Sequence, residues 1–117
     1  IFLHHHVIDV KSHWIDEINL NNCSQFLALI NQYQNVKAVF CGHVHQESHF
    51  KREEVDFYTS PSTSWQFAPK YPEFKLDNIM PGYRWITLHE DGTFETEVAR
   101  IDYNEEFLPD PNSKGYT

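Results

Sequence analysis

The sequence predicts an α/β fold with one main helix and a mostly β remainder. Apolar residues recur at helical spacing between residues 21 and 34, and a short apolar run stands on each side of that segment. Later in the chain, Glu90-Asp91-Gly92 separates two runs of alternating residues, which is the signature of a β-hairpin. Because a helix lies between two apolar runs, the first half predicts a βαβ unit.

The first half contains three predicted elements. Ile1-Phe2-Leu3 predicts the end of a buried strand that runs into His4-His5-His6, followed by a loop over residues 7–19. The predicted helix over residues 21–34 carries its apolar positions at three- and four-residue intervals, at Cys23, Phe26, Leu27, Ile30 and Tyr33. A second strand is predicted over residues 36–41, and it leads into Gly42.

The second half predicts shorter β-segments over residues 55–59, 83–89 and 93–101. Prolines and aromatic residues alternate through residues 60–82, which is typical of an ordered long loop. We therefore expect one structural unit over residues 1–102 and an irregular tail over residues 103–117.

Composition excludes two classes of function. The chain has 17 Asp and Glu against 9 Lys and Arg, for a net charge of −8, so most of its surface repels nucleic-acid backbones and anionic lipids. No apolar run reaches the roughly 20 residues of a membrane-spanning helix.

Two cysteines are too few for a disulfide framework, and they favour a reducing, cytoplasmic setting. Because the chain opens inside a predicted strand without Met, we expect a piece of a longer protein.

Two histidine clusters carry the strongest chemical signal. His4-His5-His6 and His43-Val44-His45 each follow an apolar strand directly. If both strands belong to one parallel sheet, their carboxyl ends meet at the edge where α/β proteins bind ligands. In extended chain, His43 and His45 would point to the same side, with Val44 turned into apolar packing. Three or more converging imidazoles favour a metal site, and a surface or capping role is the simpler alternative.

The other polar candidates favour structural roles. His13, His49 and His89 are isolated, and the pairs Glu53-Glu54 and Glu105-Glu106 lie in polar surroundings typical of a solvated face. The sequence contains no phosphate-binding glycine loop and no nucleophile elbow.

Several segments together resemble the calcineurin-like metallophosphoesterases, and within them the bacterial class III 3′,5′-cyclic AMP phosphodiesterases. The resemblance covers nearly the whole chain and rests on these segments: Leu3-His4-His5-His6, residues 35–46 with Gly42-His43-Val44-His45, Pro61-Ser62-Thr63-Ser64 with Gln66-Phe67, Pro81-Gly82-Tyr83-Arg84 and Asp91-Gly92-Thr93.

This resemblance implies the C-terminal half of an αββα sandwich with a dinuclear metal centre of the Fe, Mn, Mg or Zn class. It implies that a hydroxide bridging two ions attacks the phosphorus of cyclic AMP and yields 5′-AMP. By motif position, His4 and His43 would share one ion and His45 would bind the other. His5 and His6 would lie beside the ligands or face the substrate, with His5 as the alternative ligand to His4.

The chain also departs from the family pattern. Val7 and Ile8 follow the first histidines where the family often has proline. The motifs Asp-x-His, Gly-Asp and Gly-Asn-His, which supply carboxylate ligands and the catalytic histidine, do not occur. We therefore expect no catalytic residue in this chain, an inactive fragment with partial or no metal occupancy, and an active parent hydrolase. The alternative is a protein-binding module of the same fold without catalysis.

The expected partner is a cyclic nucleotide, with no nucleic acid and no membrane. Apolar surface that the other half of the sandwich would cover predicts a homodimer. Trp65, Phe67 and Tyr71 could stack on a purine, although packing of the long loop onto the sheet is the favoured interpretation.

Overall fold

The computed structural model describes residues 1–115, and in that range it contains eight strands, two α-helices and one 3₁₀-helix. The helices are α1 (His13–Asp16), α2 (Cys23–Ile30) and the 3₁₀-helix Glu105–Phe107. The strands are β1 (Phe2–Leu3), β2 (Ala38–Cys41), β3 (Ser48–Arg52), β4 (Val55–Thr59), β5 (Gln66–Phe67), β6 (Leu76–Asp77), β7 (Gly82–Leu88) and β8 (Phe94–Arg100). The predicted α/β class with one main helix is confirmed.

The main sheet has four strands in the order β1-β2-β4-β3. Strands β1 and β2 are parallel neighbours joined through α2, with Leu3 opposite Cys41, which confirms the predicted βαβ unit. Strand β4 is also parallel to β2, whereas β3 runs antiparallel to β4. The carboxyl ends of β1, β2 and β4 therefore lie at one edge of the sheet.

Helix α2 covers one face of this sheet because its apolar side chains lie on one side. Leu27 and Ile30 are buried against sheet residues that include Val39 and Phe57. Burying an aliphatic side chain of this size contributes about 1.5–3 kcal/mol, so this contact holds the helix in place.

The opposite face of the sheet carries a row of aromatic rings. Phe2, Phe40 and Tyr58 stack on neighbouring strands, with ring centroids 5.3 and 5.2 Å apart. Phe94 of the β7–β8 hairpin meets Phe40 edge-on at 5.8 Å, and the guanidinium of Arg84 lies 5.0 Å from the centre of the Tyr58 ring. The hairpin thus forms a second layer against this face.

The predicted hairpin is confirmed, with Gly82 opposite Arg100 and Leu88 opposite Phe94. Gly92 has φ 84°, a conformation that glycine adopts without the steric cost of a side chain. A Cβ on Gly82 would lie 2.8 Å from the Ala99 carbonyl oxygen, so the start of β7 also requires glycine.

The helix prediction over residues 21–34 is too long. Helix α2 ends at Ile30 because the backbone bonds then change from four-residue to three-residue spacing. The Tyr33 N–H donates to the Ile30 carbonyl, three residues earlier. The predicted loop over residues 7–19 contains the one-turn helix α1, which begins where the Ser12 carbonyl accepts from the N–H groups of Ile15 and Asp16.

The last described segment is largely irregular, apart from the 3₁₀-helix Glu105–Phe107. The side chain of Asn104 caps this helix by accepting from the Glu106 N–H at 3.0 Å. The division into residues 1–102 and a tail over 103–117 stays a prediction, and its last two residues lie outside the described range. Within residues 1–115, no helix combines the length and apolar character needed to cross a bilayer.

Candidate metal centre

Three histidines converge at the carboxyl edge of the parallel strands. Because Leu3 pairs with Cys41, the next residues, His4 and Gly42, also lie side by side, and the Gly42 N–H donates to the His4 carbonyl at 3.1 Å. One donor nitrogen from each of His4, His5 and His43 lies within 4.8 Å of the others. Parallel pairing thus brings together two sequence segments that are far apart in the chain.

The backbone of residues 42–45 forms a tight turn, which differs from the extended conformation that the sequence predicts. His43 and His45 have φ values of 66° and 48°, and the Val44 N–H donates to the Gly42 carbonyl at 2.7 Å. Val44 is fully buried in a second core cluster with Ile15 and Phe67, so its predicted apolar packing is confirmed. As a result, His43 joins the cluster while His45 occupies a separate position.

His45 is held by a carbonyl group. Its Nδ1 lies 3.0 Å from the Trp65 carbonyl oxygen, and its ring stacks on Phe67 at 4.2 Å. Because a carbonyl oxygen only accepts, Nδ1 carries the proton and Nε2 keeps its lone pair. Burial lowers the pKa of His45, the bond to Trp65 opposes this shift, and the nearby His4 adds to it. His45 is not in the three-histidine group, and its assignment to a second ion stays a prediction.

His43 is suited to bind a cation as a neutral ligand. Burial, followed by the neighbouring His5, His4 and His6, lowers its pKa from 6.5 to about 4. Its Nε2 is buried and has no hydrogen-bond partner within the described part of the protein. A neutral imidazole with an unpaired buried nitrogen, beside two further imidazoles, fits a divalent transition metal.

The other two candidates from the first cluster behave differently from each other. His5 joins His4 and His43 in the group, and its place as the alternative ligand stays a prediction. His6 lies outside the group and is fully buried, with its Nε2 3.0 Å from Asp16 Oδ1. Its ring stacks on His43 with centroids 5.8 Å apart.

The isolated histidines each lie beside a carboxylate. The Nε2 atom of His13 lies 3.3 Å from Glu17. The Nε2 atom of His49 lies 2.7 Å from Asp56, and that of His89 lies 3.0 Å from Glu95. These surface pairs contribute little to stability, and they support the structural roles assigned to them.

The aromatic residues of the long loop divide into two groups. Phe67 is buried in the second core, as the packing interpretation requires, whereas Trp65 is 54% exposed and Tyr71 is 41% exposed. Trp65 therefore presents an open aromatic surface one residue from the Gln66–Phe67 strand and next to His45.

Asp16 is the residue of this region that the sequence analysis did not identify. It lies ten residues after His6 in a segment with no clear periodicity, so no sequence pattern links the two. Their contact depends on the one-turn helix α1, which lies within the segment predicted to be a loop.

Comparison with known proteins finds relatives named as cyclic-nucleotide phosphodiesterases. No protein-family model matches the chain. The 3′,5′-cyclic adenosine monophosphate phosphodiesterase CpdA of Vibrio vulnificus is 40% identical over 116 residues, which make up 99% of this chain and 42% of the relative. CpdA of Escherichia coli K12 is 38% identical over the same shares of both proteins. A 3′,5′-cyclic-nucleotide phosphodiesterase of Nostoc is 39% identical over 104 residues, covering 89% of this chain and 39% of the relative. Over nearly its whole length the chain is therefore similar to bacterial proteins named cyclic-nucleotide phosphodiesterases, and it spans about two fifths of the length of the relatives it matches.

Proposed function

We propose that this chain is part of a metal-dependent phosphodiesterase that hydrolyses 3′,5′-cyclic AMP to 5′-AMP. The observation that carries the proposal is the match at about 40% identity to phosphodiesterases of this name over 116 residues, a stretch that includes every histidine of the candidate centre. In the reaction, water adds to phosphorus, the bond from phosphorus to the 3′ oxygen breaks, and that oxygen takes up a proton.

The proposed centre holds two cations of the Fe, Mn, Mg or Zn class. His43 and either His4 or His5 are the ligands for one cation, supported by the convergence of their nitrogens. His45 is the ligand for the other, supported by the free Nε2 lone pair that its bond to Trp65 leaves. When bound, two such cations neutralise charge on the phosphoryl oxygens and lower the pKa of the attacking water.

The residues of this chain prepare the site before any cation arrives. The lowered pKa of His43 keeps its imidazole neutral at pH 7, so that binding requires no loss of a proton there. The Trp65 carbonyl fixes the ring of His45, since a second hydrogen bond to a ligating histidine sets its orientation and tautomer.

The isolated chain is proposed to have little or no hydrolytic activity. Its candidate group consists of three imidazoles without a carboxylate. Carboxylate ligands balance the charge of paired cations and hold them close together, so imidazoles alone favour weak or partial occupancy. Catalysis would then depend on residues that this chain does not supply.

The test is a chimeric enzyme. The matched 116 residues of the Vibrio vulnificus phosphodiesterase are replaced by this chain, and release of 5′-AMP from cyclic AMP is measured with added Mn²⁺. We expect activity that His43→Gln reduces by more than about 100-fold, because a cation ligand is lost. His13→Gln is the matched control, since the His13 side chain is exposed and its ring pairs with the exposed side chain of Glu17.

Two results would contradict the proposal. A folded chimera that cleaves other phosphodiesters but not cyclic AMP would refute the substrate. A chimera whose activity is as insensitive to His43→Gln as to His13→Gln would refute the site.

We also propose self-association of the isolated chain. A groove of about 430 Å³ runs between β1 and the end of the hairpin, with an apolar lining that includes Phe2, Phe40, Leu88 and Phe94. Phe2 is 62% exposed and Leu88 is 67% exposed, so their burial against a second copy would remove apolar surface from water.

A further inference from the structure

The Asp16 carboxylate is fully engaged by groups that hold it in one orientation. Its Oδ1 accepts from the Val10 N–H at 2.9 Å and lies 3.0 Å from His6 Nε2. Its Oδ2 accepts from the Ser12 N–H at 3.1 Å. Oδ1, which already accepts from the Val10 N–H, is therefore also the acceptor for the ring of His6.

This contact determines where the proton of His6 lies. An accepting carboxylate requires a donor at Nε2, so the neutral ring carries its proton there and Nδ1 keeps a lone pair. The side chain of His6 is only 1% exposed, and its Nδ1 is buried with no hydrogen-bond partner in the described range. Nδ1 lies on the ring away from the bond to Asp16.

The ring of His6 lies directly against the histidine group. It stacks on His43 at an interplanar angle of 22°, and His43 Nε2 is also buried without a hydrogen-bond partner among residues 1–115. Two imidazoles, each with a buried nitrogen that lacks a partner among the described residues, therefore stack beside His4 and His5. Buried polar atoms are nearly always paired, so such a pair indicates that a ligand completes the bonding here.

We propose that Asp16 is a positioning residue for the candidate metal centre. It holds His6 in the Nε2–H tautomer and thereby keeps the Nδ1 lone pair available to a divalent cation, or to water carried by that cation, at the histidine group. This inference rests on the proposed function and adds to it a residue outside both histidine clusters.

The alternative role for Asp16 is purely structural, since its backbone bonds also shape the loop before α1. The two roles differ in what Asp16→Asn changes. An asparagine NH₂ group at the position of Oδ1 donates to His6 Nε2 and favours the Nδ1–H tautomer, at the cost of the bond from the Val10 N–H, while the amide oxygen still accepts from the Ser12 N–H. A structural role predicts an altered loop without a specific effect on the tautomer or on metal affinity.

The experiment combines two readouts on the whole chain. Nitrogen-15 NMR of the histidine side chains identifies the tautomer of His6, and calorimetric titration with Zn²⁺ measures metal affinity. For the wild type we expect the Nε2–H tautomer. For Asp16→Asn we expect the Nδ1–H tautomer and zinc binding about 10–100-fold weaker, the usual effect of losing a partner that orients a metal-binding histidine.

Glu17→Gln is the matched control, because it removes one negative charge at the next position. The side chain of Glu17 is 65% exposed and pairs with the exposed ring of His13. We expect this variant to keep the wild-type tautomer of His6 and the wild-type zinc affinity.

The outcomes separate this inference from the proposed function. Zinc uptake that is unchanged in Asp16→Asn would overturn the positioning role alone, and no uptake by the wild type would overturn this role together with metal binding by the isolated chain, whereas the chimera tests the proposed function separately. A wild-type His6 with its proton on Nδ1 would also overturn the inference, and that measurement does not depend on the folding of any variant.

Discussion

His43 and His45 both adopt left-handed backbone conformations, and this decides how their rings are presented. A residue with a side chain pays of order 1–2 kcal/mol for such a conformation. The φ values of 66° and 48° are maintained because Val44, between them, is completely buried. The packing of one valine thus turns one imidazole toward His4 and His5 and the other toward Trp65.

Cys41, at the end of β2, gives a prediction about pH. Burial raises the pKa of its thiol from 9.0 to about 11, so the folded chain keeps this proton to higher pH than the unfolded chain does. The stability that this retained proton contributes to the folded state is fully present below pH 9 and is lost as pH rises toward 11. We therefore expect the free energy of unfolding in urea to fall more steeply over this window in the wild type than in Cys41→Ala.

Val39→Ala is the control for the Cys41 experiment. Val39 is buried on the same strand, so its truncation weakens packing but leaves the thiol in place, and the pH dependence should stay as steep as in the wild type. Equal slopes for Cys41→Ala and the wild type would contradict the prediction.

At the residue scale, the sequence predicted much of the candidate site. His4 and His43 could be identified because a ligand-type residue directly after an apolar strand of a parallel sheet lies at the carboxyl edge of that sheet. The prediction that residues 1–3 form a buried strand is wrong, since β1 is an edge strand and Phe2 is 62% exposed. The separation of His45 from His43 could not be predicted, since it depends on a tight turn with no glycine between the two histidines. The role of Asp16 could not be predicted either, because it results from contacts between loops.

At the element scale, prediction succeeded where apolar periodicity or turn residues mark an element, as in α2 and the β7–β8 hairpin. Strand β3 was not predicted. It lies at the sheet edge and has the mostly polar sequence Ser48–Arg52, and its turn to β4 places Glu53 at φ 52° rather than using Gly or Asn. Edge strands need only one apolar side, so they leave a weaker pattern.

The edge strand β1 and the neighbouring groove predict the oligomeric state. We expect light scattering to give twice the chain mass of 13.9 kDa at micromolar concentration, and Leu88→Glu to shift the chain toward the monomer. Leu29→Glu is the control, because Leu29 is 51% exposed on helix α2, away from the groove. A monomer at every concentration would refute self-association, and equal effects of the two variants would refute the groove as the contact.

At the scale of the whole molecule, the fold places the histidines by combining two cores. The first core fixes α2 on the parallel strands, so that the segments after β1 and β2 emerge side by side. The second core fixes Val44, Ile15 and Phe67, which anchor the turn of His43, the loop before Asp16 and the support for His45. The candidate centre lies where these two cores meet, and this accounts for the distant sequence positions of its residues.

The most direct test of the metal centre is crystallographic. Crystals of the chain grown with excess Zn²⁺ should show an anomalous difference peak about 2.1 Å from imidazole nitrogens of His43 and of His4 or His5. That peak should be absent in His43→Gln and present in His49→Gln, whose ring is exposed and paired with Asp56. Peaks only at surface carboxylates, or no peak at the three histidines, would contradict the account.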